Sequence, residues 1–224
     1  MIKLCIFDMD GLLLDTERFL YLYTGMNVSK ELGYPMEEDF LRSLMGLSWD
    51  IYRETIIQKM GKDFPVEKYL DGLWQRIDYL IENESIPLRK GALNILEYCK
   101  NNDITIALAS STHYEKVINC LKNAGILEYF DYIVTGDMVR NGKPDPEIYL
   151  KVINHYDYPI ENVVALEDAH NGARSALGAG CRLVLIEDLA YVDDEDRKAA
   201  ELLPDSLDEV IDYIRKENET TIGI

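Results

Sequence analysis

Basic residues are scarce in this sequence of 224 residues. Its 23 lysines and arginines are outnumbered by 41 aspartates and glutamates, which leaves a formal net charge of −18 at pH 7. A field of that sign repels nucleic-acid phosphates and anionic membrane surfaces, so neither is expected as a partner. It also repels small phosphate esters, so any phosphate site in this protein needs cations of its own, from a metal ion, a lysine or backbone N–H groups.

Cysteines and long apolar runs are also sparse. The four cysteines, Cys5, Cys99, Cys120 and Cys181, form no C-x-x-C pair and lie within apolar segments. They are therefore expected to be reduced core residues rather than metal ligands. The N-terminal apolar run reaches Asp8 too soon for a signal peptide, and no stretch approaches the ~18 apolar residues of a membrane span. A cytoplasmic protein is expected.

Short apolar runs followed by helical patterns recur along most of the chain. They predict buried parallel strands over residues 3–7, 104–109, 132–135, 163–166 and 183–186. Helices are predicted over residues 91–101, 114–124, 146–154, 169–179 and 206–217. Strand and helix therefore alternate as in a doubly wound, mostly parallel α/β sheet.

One long segment interrupts this alternation. Between residues 16 and 85, helical periodicity and aromatic residues dominate and no clear strand pattern is present. Because a strand–helix–strand unit needs only about 30 residues, this segment is predicted to be a small helical domain inserted into the α/β domain. The expected division is an α/β core of residues 1–15 and 86–224 and a helical domain of residues 16–85.

The first predicted strand ends in Asp8-Met9-Asp10-Gly11. Open α/β sheets bind ligands at the carboxyl ends of their strands. Strand alternation places the side chains of Asp8 and Asp10 on one face, while Gly11 lets the chain turn and lets backbone N–H groups approach an anion. A helix-capping aspartate pair is another interpretation of this motif. An EF-hand calcium loop is excluded because the glycine stands at the fourth position rather than the sixth.

Three further predicted strands also end in polar residues. Ser110 and Ser111 follow the second strand, Lys143 lies in a Gly-Lys-Pro-Asp-Pro run after the third, and Glu167 and Asp168 follow the fourth. A serine hydroxyl with nearby amides suits phosphate oxygens, a lysine suits the charge of a transferring phosphoryl group, and an aspartate suits a hard divalent cation. Together these strand ends predict phosphoryl-transfer chemistry.

The combination resembles the haloacid dehalogenase superfamily, and specifically its phosphatase and β-phosphoglucomutase-like branch with an α-helical cap. The four motifs stand in the family's order along nearly the whole chain: Asp8-x-Asp10-Gly11, Ser110, Lys143 and Glu167-Asp168. The helical segment 16–85 occupies the position of the family's cap. The resemblance therefore implies a Rossmann-like α/β core with an inserted helical cap.

The resemblance also implies an activity. The protein would be a Mg²⁺-dependent phosphatase of a small phosphorylated metabolite, of the sugar phosphate or nucleoside monophosphate type. Asp8 would be the nucleophile that forms an aspartyl-phosphate, and Asp10 would protonate the leaving oxygen and then deprotonate the attacking water.

The same resemblance implies the roles of the remaining motif residues. Phosphate would be bound by Gly11, Ser110, Ser111 and Lys143. Mg²⁺ would be held by Asp8, the Asp10 main-chain carbonyl and Asp168, with Glu167 bound directly or through water. A monomer whose cap closes over the leaving group is expected.

Two alternatives remain open. β-Phosphoglucomutases resemble this chain in the core but carry a histidine on the first cap helix and a lysine and an arginine around a cap glycine. This chain has Leu20 and the run Met45-Gly46-Leu47-Ser48-Trp49 at what look like the matching positions, so the isomerase is the second choice. A receiver-like phosphoaspartate signalling protein is the alternative from another class, and the large helical segment and the Asp8–Asp10 spacing oppose it.

Several polar residues near these motifs are expected to be structural. His113 and His170 stand at the starts of predicted helices and are interpreted as surface or capping residues. Gly172 is interpreted as a position of close helix–sheet packing. The acidic run 193–196 is interpreted as a solvated surface.

Overall fold

The computed structural model describes residues 1–45 and 49–222, without the side chains of Trp49 and of residues 220–222. The strands are β1 Leu4–Phe7, β2 Thr105–Ser110, β3 Tyr132–Thr135, β4 Val163–Glu167 and β5 Arg182–Leu185. The α-helices are α1 Tyr23–Glu31, α2 Glu38–Arg42, α3 Trp49–Met60, α4 Val66–Asn83, α5 Ala92–Asn101, α6 Tyr114–Asn123, α7 Glu147–Ile153, α8 His170–Gly178, α9 Asp194–Ala199 and α10 Leu207–Ile222. A π-helical turn, Glu17–Leu22, leads directly into α1.

The five strands form one parallel sheet in the order β3-β2-β1-β4-β5. β1 lies at the centre, where Leu4 is in register with Thr105 of β2 on one side and with Val163 of β4 on the other. The chain builds outward from β1 to β3 and then returns to the other side of β1 for β4 and β5. This arrangement confirms the predicted doubly wound α/β fold.

Both faces of the sheet are covered by helices, which explains why its strands are continuously apolar. Leu4 and Ile6 of β1 pack in one core with α7 and α8, whereas Cys5 and Phe7 pack in the other with α5, α6 and α10. Successive side chains of a strand point to opposite faces. The central strand therefore supplies both cores, and no period-2 polar pattern marks it in the sequence.

The segment between β1 and β2 contains the π-helical turn and α1–α4, and no strand is found among its described residues from 16 to 85. In α4 the buried side chains recur every four residues, at Tyr69, Leu73, Ile77 and Ile81. That spacing gives one apolar face, which packs in the same cluster as the apolar residues of α5 and α6. The division into a core and a cap at these boundaries stays a prediction.

The two stretches of chain that connect this segment to the rest of the protein lie side by side. Asp15 N donates to Pro87 O at 2.9 Å and Arg89 N donates to Leu13 O at 2.9 Å. An isolated antiparallel bridge joins Leu14 to Leu88 between these bonds. The outgoing and returning backbones therefore form a short antiparallel pair where this segment begins and ends.

The interpretation of residues 193–196 as a solvated surface holds for Asp194 and Glu195, which are exposed, but it is wrong for Asp196. Asp193 begins α9 with a capping box, in which its side chain accepts from the N–H groups of Glu195 and Asp196 and the Asp196 carboxylate accepts from Asp193 N. Asp196 is fully buried and its Oδ2 lies 2.6 Å from His170 Nδ1. The acidic run is a helix start because carboxylates satisfy the free N–H groups of a first turn.

The expectation of four core cysteines is confirmed, since all four are buried and free. Cys5 and Cys99 are neighbours, and their sulfur atoms are 3.9 Å apart, well beyond the ~2.05 Å of a disulfide bond. Within residues 1–45 and 49–222, no helix is both long and apolar enough to cross a membrane.

Candidate active site

Three of the candidate carboxylates are brought together by neighbouring strands. Phe7 and Leu166 are in register, so Asp8, directly after β1, stands beside the end of β4, which is Glu167 and is followed by Asp168. Asp8 N also donates to Leu166 O at 3.1 Å. This edge between β1 and β4 is where the strand order of the sheet reverses, which is the usual ligand position of a doubly wound sheet.

Lys143 connects two of these carboxylates. Its Nζ lies 2.6 Å from Asp8 Oδ1, 2.6 Å from Glu167 Oε1 and 2.8 Å from Ala109 O, and only 6% of its side chain is exposed. Burial opposes the charge of such a lysine, but the neighbouring Asp8 and Glu167 outweigh it and raise the Lys143 pKa above its ordinary value. The lysine is thus a fixed positive charge inside an acidic site.

The carboxylates of Asp8, Glu167 and Asp168 converge, with one oxygen atom of each lying within 4.8 Å of the others, and all three residues are buried. Burial raises the pKa of Glu167 to about 7, with a further increase from the charge of Asp8 and a decrease from that of Lys143. Burial and the charges of Asp8 and Glu167 raise the pKa of Asp168 well above its usual range. Several buried oxygen donors with mutual repulsion are the donor set that a hard divalent cation prefers, so these residues fit Mg²⁺.

Two glycines permit this close approach of carboxylates. Gly11 has a φ of +81°, and a Cβ atom there would stand 2.0 Å from Asp168 Oδ2. A Cβ on Gly172 would stand 2.0 Å from Glu167 Oε2. The Gly172 position is therefore required by a carboxylate at the site, which is a more specific reason than helix–sheet packing. The Gly11 N–H donates to Leu14 O at 2.9 Å, and its contact with phosphate stays a prediction.

Asp10 lies at the other side of the site. Thr112 Oγ1 donates to Asp10 Oδ2 at 2.9 Å, and Ser110 Oγ is 3.4 Å from the same oxygen. Burial and the charge of Asp8 raise the pKa of Asp10 to about 6, while hydrogen bonds from Thr112 and Thr16 act in the opposite direction. A carboxyl group with such a pKa can both hold and release a proton near neutral pH, as a general acid and base must.

One cavity of about 210 Å³ collects most of the predicted site residues. Its lining includes Asp8, Asp10, Ser111, Lys143, Glu167 and Asp168. Ser110 is fully buried behind it and accepts a hydrogen bond from Thr112 N at 3.1 Å, whereas Ser111 is exposed. A larger cavity, about 610 Å³, is lined by residues of α7 and its neighbours, among them Tyr132, Leu150 and His155, and contains none of the predicted site residues.

Sequence reasoning missed two residues that hold the site in place. Thr112 makes the shorter hydrogen bond to Asp10, and no role was predicted for this residue from the sequence. Tyr149 of α7 is fully buried, its hydroxyl donates to Glu167 Oε1 at 2.5 Å, and its ring centre is 5.2 Å from Lys143 Nζ. Its spacing along α7 is that of any core residue, so the sequence contains no sign of this contact.

A third missed residue is Glu17, the first residue of the π-helical turn Glu17–Leu22. Glu17 lines the 210 Å³ cavity together with Asp8 and Asp10. Its Oε2 atom is buried and has no hydrogen-bond partner in the described structure. Burial, followed by the charges of Asp188 and Asp10, raises the pKa of Glu17 to about 7.

A second cavity, about 180 Å³ in volume, also reaches Asp10. It lies between α4 and α6, and it is lined by Leu20, Trp74, Ile77 and Lys116, among others. Leu20, the residue that the sequence analysis compared with the histidine of the mutases, is thus at the cavity wall. Within the run 45–49 that was also compared with the mutases, Gly46, Leu47 and Ser48 lie outside the described residues.

Comparisons with known proteins agree with this geometry. Residues 5–186 match the family model of the haloacid dehalogenase-like hydrolases. The chain is 36% identical over 178 residues to a phosphorylated carbohydrates phosphatase of Thermotoga maritima, covering 78% of this chain and 80% of that protein.

Solved structures show the same similarity. A Thermotoga maritima protein assigned as a β-phosphoglucomutase superposes with a TM-score of 0.81 at 29% identity, covering 96% of this chain and 99% of the other. CbbY from Rhodobacter sphaeroides, solved with phosphate, superposes with a TM-score of 0.70 at 29% identity, covering 94% and 96%.

Proposed function

The chain belongs to the haloacid dehalogenase-like hydrolase family, and from this premise we propose that it is a Mg²⁺-dependent phosphatase of a small phosphorylated metabolite. The expected enzyme class, a phosphatase, is confirmed by the family match and by the phosphatase among its relatives. The receiver-like alternative is therefore wrong. The observation that supports the mechanism best is the position of Asp8, which is bound to Lys143 and adjoins the Asp10 side of the same cavity.

The first chemical step forms a bond between an Asp8 carboxylate oxygen and the phosphorus atom of the ester. The bond from phosphorus to the leaving oxygen breaks, and the proton of Asp10 passes to that oxygen. The raised pKa of Asp10 supports this role, because the carboxyl keeps its proton up to about pH 6, where an ordinary aspartate has already lost it. Lys143 holds Asp8 in position and offsets part of the charge of the phosphoryl group.

The second step releases phosphate. Asp10, now ionised, takes a proton from a water molecule, whose oxygen bonds to phosphorus while the bond to Asp8 breaks. The enzyme then returns to its starting protonation state. Both steps use the same residue as acid and base, which requires Asp10 to face the leaving oxygen and the water from one side, as its place between the two cavities allows.

Mg²⁺ is proposed at the converging carboxylates of Asp8, Glu167 and Asp168, with the Asp10 main-chain carbonyl as a further ligand. A divalent cation there supplies positive charge that lowers the repulsion between the ester and the nucleophile. Phosphate oxygens are proposed to contact Ser110, Ser111, Lys143 and Gly11. Of these, Ser111 and Lys143 line the cavity directly.

The substrate is proposed to be a sugar phosphate or a nucleoside monophosphate. The relative of Thermotoga maritima is named for phosphorylated carbohydrates, which favours the first of these. The similarity in fold to a protein assigned as a β-phosphoglucomutase keeps phosphosugar isomerisation as the second candidate. We also propose a cytoplasmic monomer that works with residues 1–15 and 86–224 as its core and 16–85 as its cap.

Release of inorganic phosphate tests the proposal. Sugar phosphates, nucleoside monophosphates and an aryl phosphate are incubated with the purified protein and Mg²⁺ or chelator. Metal-dependent release by the wild type, absent in Asp8→Asn and retained in the exposed control Asp63→Asn, is expected. Release that persists in Asp8→Asn overturns the aspartyl-phosphate mechanism. Interconversion of hexose phosphates with a bisphosphate primer, without release, would support the isomerase instead.

A further inference from the structure

Glu17 is a partly buried residue that the proposed mechanism leaves unused. It lines the cavity that contains Asp8 and Asp10, and its Oε2 atom finds no hydrogen-bond donor in residues 1–45 and 49–222. A buried carboxylate oxygen without a donor is unfavourable to folding. Such an atom at the wall of an active-site cavity is explained if a ligand supplies the donor.

The neighbouring cations do not supply it. Arg18, the next residue, binds Asp188 through both terminal nitrogens at 2.7 and 2.6 Å and Asp15 at 3.0 Å. Arg89 lies 2.9 Å from the same Asp188. These ion pairs hold the start of the helical segment in place and leave Glu17 aimed at the cavity.

Asp10 indicates which part of the substrate Glu17 faces. As the proposed acid, Asp10 must touch the leaving oxygen. Asp10 lines both the 210 Å³ cavity and the 180 Å³ cavity between α4 and α6. The leaving group therefore extends from Asp10 toward the helical segment. Glu17 belongs to that segment and lines the 210 Å³ cavity, so it stands close to the first atoms of the leaving group.

The charges around the leaving group disfavour an anion. Lys116 lines this second cavity, but its Nζ is bound to Asp78 Oδ1 at 2.6 Å, so its positive charge is already paired. Much of the remaining wall is apolar, with Leu20 and Ile77 among its members. Glu17 itself repels a second phosphate group but accepts a hydrogen bond from a hydroxyl group.

We infer that Glu17 binds a hydroxyl group of the leaving group, so that the preferred substrate is the monophosphate of an uncharged, hydroxylated carbon chain such as a sugar or polyol. This inference rests on the proposed phosphatase function. Glu17 is then the residue that discriminates such esters from those without a hydroxyl group and from bisphosphates. The discrimination is exerted on binding and on placement of the ester at Asp10.

Matched pairs of substrates test this role. Glycerol phosphate is compared with propyl phosphate, and a hexose 1-phosphate with its 2-deoxy analogue, while a hexose bisphosphate and an aryl phosphate complete the set. The wild type is expected to prefer the hydroxylated member of each pair by at least about tenfold in kcat/KM, as for a hydrogen bond to a charged group. In Glu17→Ala the preference should fall to within about threefold, mainly through a rise of KM for the hydroxylated ester.

Two further variants sharpen the comparison. Glu17→Gln keeps an acceptor oxygen and is expected to retain an intermediate preference, while the exposed control Glu54→Gln should keep that of the wild type. Circular dichroism shows whether each variant is folded. An unchanged preference in folded Glu17→Ala, or a wild-type preference for the bisphosphate, overturns the inference while aryl phosphate turnover still supports the phosphatase. Absence of release from every ester, the aryl phosphate included, overturns both.

Discussion

Removal of the Lys143 charge should destabilise the protein strongly, independently of any substrate. The side chains of Lys143 and Glu167 are 6% and 1% exposed, and the lysine also binds Asp8. In Lys143→Met, which keeps most of the aliphatic volume, two buried carboxylates lose their cation. Breaking a buried ion pair from one side costs about 3–5 kcal/mol. For a protein of this size that corresponds to a fall in Tm of roughly 6–20 °C.

The assay is urea denaturation of the metal-free protein, followed by circular dichroism in the presence of chelator. The matched control is Lys116→Met, which breaks the pair with Asp78 where the two side chains are 43% and 51% exposed. An exposed pair of this kind contributes less than about 1 kcal/mol. The difference between the two variants therefore isolates the effect of burial.

A second variant identifies the origin of the loss. Glu167→Gln removes one of the unpaired charges, so the double variant Lys143→Met/Glu167→Gln should be more stable than Lys143→Met alone by more than about 1 kcal/mol. Lowering the pH should also restore part of the stability of Lys143→Met, because protonation neutralises the same carboxylates. Equal losses for Lys143→Met and Lys116→Met, with no recovery in the double variant, would refute the reasoning.

Three further outcomes are expected. In chelator, the free energy of unfolding should fall as the pH rises from about 4 to about 6, because folding raises the pKa of Asp10 to about 6 and its ionisation therefore favours the unfolded state. Urea titrations should show that the free energy of unfolding of Asp10→Asn depends less steeply on pH in this range. An equally steep dependence in both proteins would contradict this. Tyr149→Phe removes the donor to Glu167 and should lower kcat about fivefold with little change in KM, whereas a change in KM alone would argue against a positioning role. Gly172→Ala, whose Cβ meets Glu167 Oε2 at 2.0 Å, should lose about 1–3 kcal/mol of stability, and the control Gly142→Ala, with nothing within 4 Å, less than about 0.5 kcal/mol.

The sheet could be predicted from the sequence because its strands are continuous apolar runs between helices. Each predicted strand is within one residue of the observed one at either end, as at 104–109 for Thr105–Ser110. The convergence of Asp8, Lys143 and Glu167 followed from one rule, that parallel strands end at the same edge. Side chains that lie next to strand ends are thus accessible to sequence reasoning.

Contacts between distant helices were not accessible in that way. Asp196 belongs to an acidic run that is typical of a surface, yet it is buried because His170 and the first turn of α9 surround it. Tyr149 and Glu17 occupy positions of ordinary helical spacing, and only the packing of α7 and of the π-helical turn turns them toward the site. Local pattern contains no information on these partners, since they are set by tertiary structure.

The antiparallel pairing of residues 13–15 with residues 87–89 has a consequence for evolution. Backbone hydrogen bonds join residues 13–15, where the chain leaves the α/β sheet, to residues 87–89, where it returns. The residues between them are therefore a loop whose two ends are held together. The entropic cost of such a loop grows only slowly with its length. Segments of different length can therefore be accommodated at this junction at a modest entropic cost. New substrate preferences can arise by replacement of a module while the reaction chemistry is inherited unchanged.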